Sequence, residues 1–355
     1  DGEIYFRLLE TVRQFSYQKL LLSNQAERFA KRHAKTFMKL AQKASVELRG
    51  ANQIFWTGRL IIMRENFRAA LAWMVDSGDT ESALRFTNAQ FEFWLRYPDF
   101  EEARQWLEKV LALPGAQNSL EPFSKNLNSL AWIYFLLGKH EEARKRAEHA
   151  LSLARSQPNT ITLVVVLINL GLIIFLQDQD VLNSRALIEE ARDLSLEIQA
   201  EWEHARSHMA LAVVLSRQGK YTEAHSSYEK AFNKFQKLGD LNFQCVVKRL
   251  MGELEIERNH LAEGIEAFRD SLKIARVVKN NLQIAYNLLW LARAEKQKGN
   301  HVRAFLLYLG SKKVSDTIGT WYEENVLELE ESQTIVRELL GDEEFNSTLK
   351  AAQKM

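Results

Sequence analysis

Few residues in this chain have the types and spacing that chemistry requires, and a histidine pair is the first to consider. His204 and His208 are four residues apart in the segment EWEHARSH, so on a helix they would share one face, with Glu201 one turn before. Such a pair can hold a zinc ion. An HExxH motif is absent, however, and no second cluster offers a third ligand at a recognisable spacing. His208 also falls where an interior packing residue is expected. We therefore predict no metal site and no cofactor.

Nucleophilic and phosphate-binding chemistry has less support still. Cys245 is the single cysteine, and no adjacent cationic motif would lower its pKa, so a buried structural thiol is expected. Gly138-Lys139 and Gly219-Lys220 lack the upstream glycine and the following Ser or Thr of a phosphate-binding loop. No Ser-His-Asp or paired-carboxylate arrangement stands out. The sequence predicts that the chain is not an enzyme.

Charge gives no reason to expect nucleic acid as a partner. Lys and Arg number 47 and Asp and Glu 46, so the formal charge of +1 provides no overall attraction to a polyanion. One basic run, at 29–43, is interrupted at helical spacing by Phe29, Phe37 and Leu40, which is typical of an amphipathic helix with a solvated face. We expect no direct binding of nucleic acid by this chain.

One apolar segment could be confused with a membrane span. Thr162–Leu176 has 15 residues and contains Asn169, whereas a span needs about 20, so a buried helix is the better interpretation. The single cysteine fits a reducing compartment, and we expect a cytoplasmic protein with no membrane partner. Because the chain begins without an initiator Met, we interpret it as a piece of a longer polypeptide.

Internal repeats are the strongest feature of the chain. Only 15 Gly and 4 Pro occur, which favours helices, and small or turn-forming residues recur about every 40 positions. The turn positions are Gly138, Asp178, Gly219, Asn259 and Gly299. The first small position is occupied by Ala131, Gly171, Ala212, Gly252 and Ala292. The second is occupied by Ala143, Ser184, Ala224, Gly264 and Ala304, and the third by Ala150, Ala191, Ala231, Ser271 and Ser311.

This pattern predicts stacked helical hairpins. Antiparallel helices pack closely where small side chains let the backbones approach, and one hairpin cannot bury its apolar face without neighbours. The unit with Ala212, Ala224 and Ala231 resembles the tetratricopeptide-repeat family directly at its small-residue positions, and the period near 40 implies longer helices than the usual 34. We predict an all-α, right-handed superhelical solenoid, with paired helices from about Glu121 to Thr320 and no β-sheet.

A second resemblance extends from the N-terminus. The segment Tyr5–Phe15 (YFRLLETVRQF) resembles the end of the winged-helix module in bacterial STAND regulators, which are signal-transducing ATPases that include LuxR-type and AfsR-like activators. The likeness continues through Arg32-His33-Ala34, the motif Phe67–Trp73 and Gly341–Met355. This likeness and the repeat pattern together predict four parts: 1–22 as the end of a winged-helix module, 23–120 as divergent hairpins, 121–320 as five regular repeats and 321–355 as capping helices.

The solenoid also predicts a binding surface. In such proteins the first helix of each pair lines the concave face, and offsets of −6, −3, +1, +4 and +5 from the first small residue should point outward. The candidate ligand-binding residues are Asn128, Trp132, Phe135, Ile168, Leu172, Phe175, Arg206, Arg217, Arg249, Glu253 and Arg293. This groove would be apolar and aromatic in its first half and mixed, with arginines, in its second. Exposed apolar groups in a concavity favour a ligand, although the same residues could instead pack against the N-terminal helices or neighbouring repeats.

The resemblance therefore implies the sensor half of a bacterial transcription regulator. An effector (a peptide, a protein or a small molecule) would bind the concave face and control an ATPase domain outside this chain. The alternative is a general protein–protein interaction scaffold without a small-molecule effector.

Overall fold

A computed structural model describes residues 9–158, 160–320 and 323–354, and all regular secondary structure in these ranges is helical. The prediction of an all-helical solenoid is confirmed. The first eight residues, where the likeness to a winged-helix module begins, lie outside the described ranges. The N-terminal part contains α1 (Glu10–Leu22), α2 (Ala26–Glu47), α3 (Gln53–Ile62), α4 (Arg64–Asp76), α5 (Thr80–Arg96) and α6 (Phe100–Leu111).

The next ten helices form five consecutive hairpins in the predicted region. They are α7 (Leu120–Leu136), α8 (His140–Arg155), α9 (Ile161–Asp178), α10 (Val181–Glu197), α11 (Glu201–Arg217), α12 (Tyr221–Leu238), α13 (Leu241–Glu257), α14 (Leu261–Val277), α15 (Asn281–Gln297) and α16 (His301–Asp316). The last helix, α17 (Glu323–Lys354), is broken at Gly341, where φ is 75°, and it packs on α16. The division into four functional parts stays a prediction.

All fifteen small residues of the repeat are buried between the helices of their hairpins. Their size is a geometric requirement, as two glycines demonstrate. A Cβ on Gly252 of α13 would lie 2.6 Å from the Phe268 ring of α14, and one on Gly171 of α9 would lie 2.8 Å from Ile188 of α10. The hairpins therefore pack as closely as the sequence pattern predicts.

The turns follow the predicted period with one correction. Gly138, Gly219, Asn259 and Gly299 all have positive φ and end the first helix of their hairpins, as expected for helix termination. In the second hairpin the positive φ belongs to Gln179 instead of Asp178, which is the last residue of α9. The prediction of Asp178 was wrong by one residue because neither residue is a glycine that would mark the left-handed position.

The apolar helix α9 is a core helix of the solenoid. By length and composition its 18 residues could cross a membrane, but 72% of them are buried inside the protein. It packs against α8 and α10, and also against α7 and α11, the first helices of the adjoining hairpins. These neighbours explain why its sequence is apolar on every side.

The N-terminal helices curve back to the middle of the solenoid, at the turn between α2 and α3. The side chain of Gln53 donates from Nε2 to the carbonyl of Gly239 (3.0 Å) and accepts at Oε1 from the amide of Asn242 (3.0 Å). A Cβ on Gly239, whose φ is 74°, would meet Ala51 at 3.0 Å. The turn between α2 and α3 therefore packs tightly on the turn between α12 and α13, and the concave face becomes a partly enclosed space.

Candidate functional site

The concave side of the solenoid encloses a cavity of about 1370 Å³. Its walls come from the first helices of the hairpins, α7, α9, α11 and α13, together with α2 and α5 and the start of α15. A typical small-molecule pocket has a volume of about 300 to 1,000 Å³, so this space has room for a larger ligand.

Most of the residues predicted for the groove do line it. These are Asn128, Trp132, Phe135, Leu172, Arg206, Arg217, Arg249 and Glu253. Trp132 and Phe135 stack on each other with ring centroids 5.3 Å apart, and both rings keep part of their surface open. The structure thus brings together aromatic and charged groups from four successive hairpins.

Three predicted residues are not part of the wall. Ile168 and Phe175 are 0% and 4% exposed and belong to the continuous hydrophobic core, and Arg293 pairs with Glu328 of α17 at 3.0 Å. The wall of α9 includes Val165, Asn169, Leu172 and Leu176, at offsets −6, −2, +1 and +5. Offsets −3 and +4 line the cavity on α7, at Asn128 and Phe135, but on α9 the residues at these offsets are packed in the core.

The position two residues before the small residue was missed by the sequence prediction. Ser129, Asn169, Ala210 and Leu250 occupy it, and all four line the cavity. The helical period contains the signal, since −6, −2, +1 and +5 alternate steps of four and three residues along one face.

The charged side chains of the wall differ in whether they have a carboxylate partner. Arg249 forms an ion pair with Glu253, and Arg217 approaches Glu257 to 3.1 Å. Arg206 donates from Nη2 to Asn169 Oδ1 at 2.7 Å, but no described carboxylate lies within ion-pair distance of it and its buried Nε has no partner. Lys125 has neither a hydrogen bond nor an ion pair with any residue that the structure describes.

The environment of these two cations disfavours their charge. Burial lowers the pKa of Arg206 to about 10; the charges of Glu92 and Glu203 oppose this effect, and the positive charge of Arg49 adds to it. Burial also lowers the pKa of Lys125, again with a contribution from Arg49. Both side chains are therefore positive charges held in the cavity wall without full compensation, which is a costly arrangement for a ligand-free protein.

One polar network, which we call the clasp, joins the N-terminal helices to the centre of the solenoid. It consists of Arg49, Glu92, Arg96, Trp202, Glu203 and Asp240. Arg49 donates to Glu92 of α5 at 2.7 Å and to Glu203 of α11 at 2.8 Å, and its guanidinium lies 3.9 Å from the centre of the Trp202 ring.

The remaining contacts of the clasp complete its connection to α13. Arg96 donates to Glu92 at 2.5 Å, and Trp202 Nε1 donates to Asp240, the N-cap of α13, at 2.9 Å. Burial would raise the pKa of Glu92, but the charges of Arg49 and Arg96 lower it to about 2. No sequence signal pointed to this network, because hydrogen-bonded partners such as Arg49 and Glu203 are 154 residues apart along the chain.

The histidine pair and the cysteine lie outside the cavity wall. His204 and His208 face each other with their Nε2 atoms 3.1 Å apart, and His204 Nδ1 is 3.1 Å from the Ser195 hydroxyl. Burial lowers the pKa of both, that of His208 to about 4. No group of three metal-binding side chains occurs among the described residues. Cys245 is buried, and burial raises the pKa of its thiol to about 12.

The fold and the cavity define a class: an α-helical solenoid of tetratricopeptide-like hairpins around a large concave space. Sequence comparison agrees, because the tetratricopeptide repeat family matches residues 127–156 and 205–238. The chain contains tetratricopeptide repeats.

Individual relatives extend this comparison. HTH-type transcriptional regulators of Mycobacterium bovis and Mycobacterium tuberculosis are 30% identical over 115 residues, which are 31% of this chain. The chain spans only 12% of the length of these curated relatives. A Rap protein solved in complex with competence and sporulation factor has a TM-score of 0.55 at 10% identity, over 92% of this chain and 99% of that one. A STAND protein with a tetratricopeptide repeat sensor from Pyrococcus horikoshii has a TM-score of 0.48 at 18% identity, over 87% and 48%.

Proposed function

We propose that this chain is the effector-sensing region of a STAND-type bacterial transcription regulator, with no catalytic activity of its own, and that it acts in the cytoplasm. The observation that carries the proposal is the partly enclosed concave cavity, whose wall contains partly exposed aromatic side chains and two cations without a carboxylate at ion-pair distance among the described residues. Exposed apolar surface inside a concavity favours ligand binding. The likeness of its N-terminal segments to STAND regulators and its partial identity to HTH-type regulators support the regulatory context.

A ligand in this cavity would contact several hairpins at once. Trp132 is on α7, Leu172 on α9 and Arg206 on α11, so one bound molecule would connect three repeats. In a solenoid each repeat contacts only its neighbours, and small rotations between them add up along the array. These rotations would change the superhelical pitch of the solenoid, provided that the ligand binds a conformation of one pitch more tightly than a conformation of another. The altered pitch would then control an ATPase domain in the parent protein.

The test is ATP hydrolysis by the full-length parent protein, measured while low-molecular-mass cell extract is titrated in. We expect the wild type to respond, and Trp132→Ala to need at least about tenfold more extract, because a buried aromatic contact contributes about 1.4 kcal/mol or more. Leu182→Ala is the matched control, since this apolar side chain is 80% exposed on α10 and outside the cavity.

Two results would contradict the proposal. If the parent protein lacks ATPase activity or ignores the extract, the sensor function is wrong, and binding of a purified protein partner to the concave face would favour the scaffold alternative. If Trp132→Ala and Leu182→Ala respond alike, an effector acts but the cavity is not its site.

A further inference from the structure

We propose that Lys125 and Arg206 form an anion-binding subsite that takes the carboxylate of an otherwise apolar ligand. This inference rests on the proposed function of the cavity and specifies the chemical class of its effector. The shared chemistry is a single carboxylate attached to an apolar body, which either a fatty-acid-like metabolite or the free C-terminus of a short apolar peptide could supply.

The first argument is the lack of compensation at these two side chains. Of the four arginines predicted for the groove, Arg217 pairs with Glu257, Arg249 with Glu253 and Arg293 with Glu328, so Arg206 is the one without a described carboxylate within ion-pair distance. Lys125 also has no described carboxylate within ion-pair distance, and it lines the same cavity. The nearest carboxylate along α7, Glu121, is one turn before Lys125 but does not reach ion-pair distance and accepts from Thr162 instead.

The second argument is the charge of the surrounding cluster. Lys125 and Arg206 both experience the charges of Arg49, Glu92 and Glu203, which places them in one electrostatic neighbourhood. With the remaining clasp residues, Arg96 and Asp240, and with Glu121, which also acts on Lys125, the cluster has four cations and four carboxylates, a formal charge of 4 − 4 = 0. A single added negative charge keeps this cluster nearer to neutral than a doubly charged phosphate would, so a carboxylate fits better.

The third argument is the polarity of the adjoining wall. Asn128 and Asn169 are hydrogen-bonded to each other at 3.2 Å beside Arg206 and add fixed amide groups near the charge. Beyond them the wall of α7 and α9 is apolar, with Trp132 and Leu172. Along the cavity wall the side chains therefore change from cationic to amide to apolar. An amphipathic monoanion matches this order if its carboxylate lies at the cations and its apolar body extends past the amides.

The experiment is calorimetric titration of the full chain with ligands of equal length and different charge, used below their micelle concentrations: decanoate, decanol, decylamine and decyl phosphate. A parallel pair, tri-leucine with a free or an amidated C-terminus, distinguishes a peptide source from an acyl source. We expect a carboxylate to bind at least about tenfold more tightly than its neutral counterpart, because hydrogen bonds between charged groups are worth that or more. Decyl phosphate should not exceed decanoate, and decylamine should bind most weakly.

Charge-removing variants test whether Lys125 and Arg206 cause the preference for a carboxylate. Arg206→Gln and Lys125→Gln should each weaken decanoate about tenfold and leave decanol within about threefold, whereas Arg293→Gln and Lys220→Gln remove equal charge outside the cavity and should change neither. The comparison of ligands on the wild-type chain does not depend on whether a variant folds. Equal binding of decanoate and decanol would overturn the carboxylate subsite, and so would tighter binding of decylamine or decyl phosphate than of decanoate. In either case the cavity would still be a binding site for apolar ligands. Failure of every ligand and peptide to bind would contradict the proposed function as well.

Discussion

The clasp makes a quantitative prediction about stability, with Arg49→Met as the perturbation. Methionine keeps an unbranched apolar stem beside Trp202 but removes the charge and the hydrogen bonds to Glu92 and Glu203. The solenoid would then lose the side chain that ties its N-terminal helices to α11. We expect a large loss of stability because both carboxylates are buried, with side chains only 8% and 4% exposed.

The magnitude follows from the two carboxylates separately. The pKa of Glu92 falls from 4.5 to about 2 against the opposing effect of burial, and at about 1.4 kcal/mol per unit this net shift corresponds to roughly 3 kcal/mol. Because Arg49 and Arg96 both pair with Glu92, we assign about half of it to Arg49. Glu203 has no other cation within ion-pair distance among the described residues, so it would be left buried without a direct partner at a cost of about 1–3 kcal/mol. The sum is about 3 kcal/mol in the free energy of unfolding.

The pH dependence gives this prediction a second signature. Because the pKa of Glu92 is lower in the folded state than in the unfolded chain, its contribution is present above about pH 4.5 and is lost as the pH falls towards 2. The difference between wild type and Arg49→Met should therefore shrink across that window.

The assay is urea unfolding followed by circular dichroism at neutral and acidic pH. Arg155→Met is the matched control, because its ion pair with Glu190 is 49% and 43% exposed and should contribute less than about 1 kcal/mol. The reasoning is refuted if Arg49→Met costs no more than Arg155→Met at neutral pH, or if its cost is unchanged by acid.

Two further predictions concern the packing of the hairpins. Gly252→Ala should destabilise the chain by about 1–3 kcal/mol, because the new Cβ would lie 2.6 Å from Phe268. Gly310→Ala is the control: its Cβ would have its nearest neighbour at an ordinary 3.6 Å, so this change should stabilise the chain by up to about 1 kcal/mol. Equal melting temperatures for the two variants would show that the repeat register is wrong. Cys245 should resist iodoacetamide in the folded chain and react only after unfolding, because its thiol is buried and has a pKa of about 12. Modification of Cys245 at neutral pH without loss of helical structure would contradict its buried placement.

The sequence was sufficient to predict the hairpins because their determinants are local and periodic. Ala212, Ala224 and Ala231 mark their unit by spacing alone, and α12 occupies Tyr221–Leu238, as the turn glycines on either side, Gly219 and Gly239, indicate. Where the turn has no glycine, as at Gln179, the left-handed residue could be placed only to within one position.

The cavity was harder to predict because its composition depends on contacts between distant segments. The groove offsets correctly selected Trp132 and Arg206, but they gave Ile168 and Phe175 as exposed, since the packing of α7 and α11 against both flanks of α9 cannot be deduced from one helix. Which arginines have a carboxylate partner depends equally on tertiary contacts. Arg293 forms an ion pair with Glu328 on α17, whereas Arg206 has no described carboxylate within ion-pair distance. This difference between the two arginines is visible only in the folded chain.

The most direct test of the central claim, that the concave cavity is the binding site, is photoaffinity mapping with decanoate carrying a terminal diazirine. After irradiation of the full chain and proteolysis, mass spectrometry identifies the labelled peptides. The account predicts labels on α7, α9 and α11, the helices of the cavity wall, and strong reduction of labelling by Arg206→Gln but not by Arg293→Gln. Labels confined to the outer helices α10 and α14, which contribute nothing to the cavity wall, or labelling that is unaffected by Arg206→Gln, would contradict it.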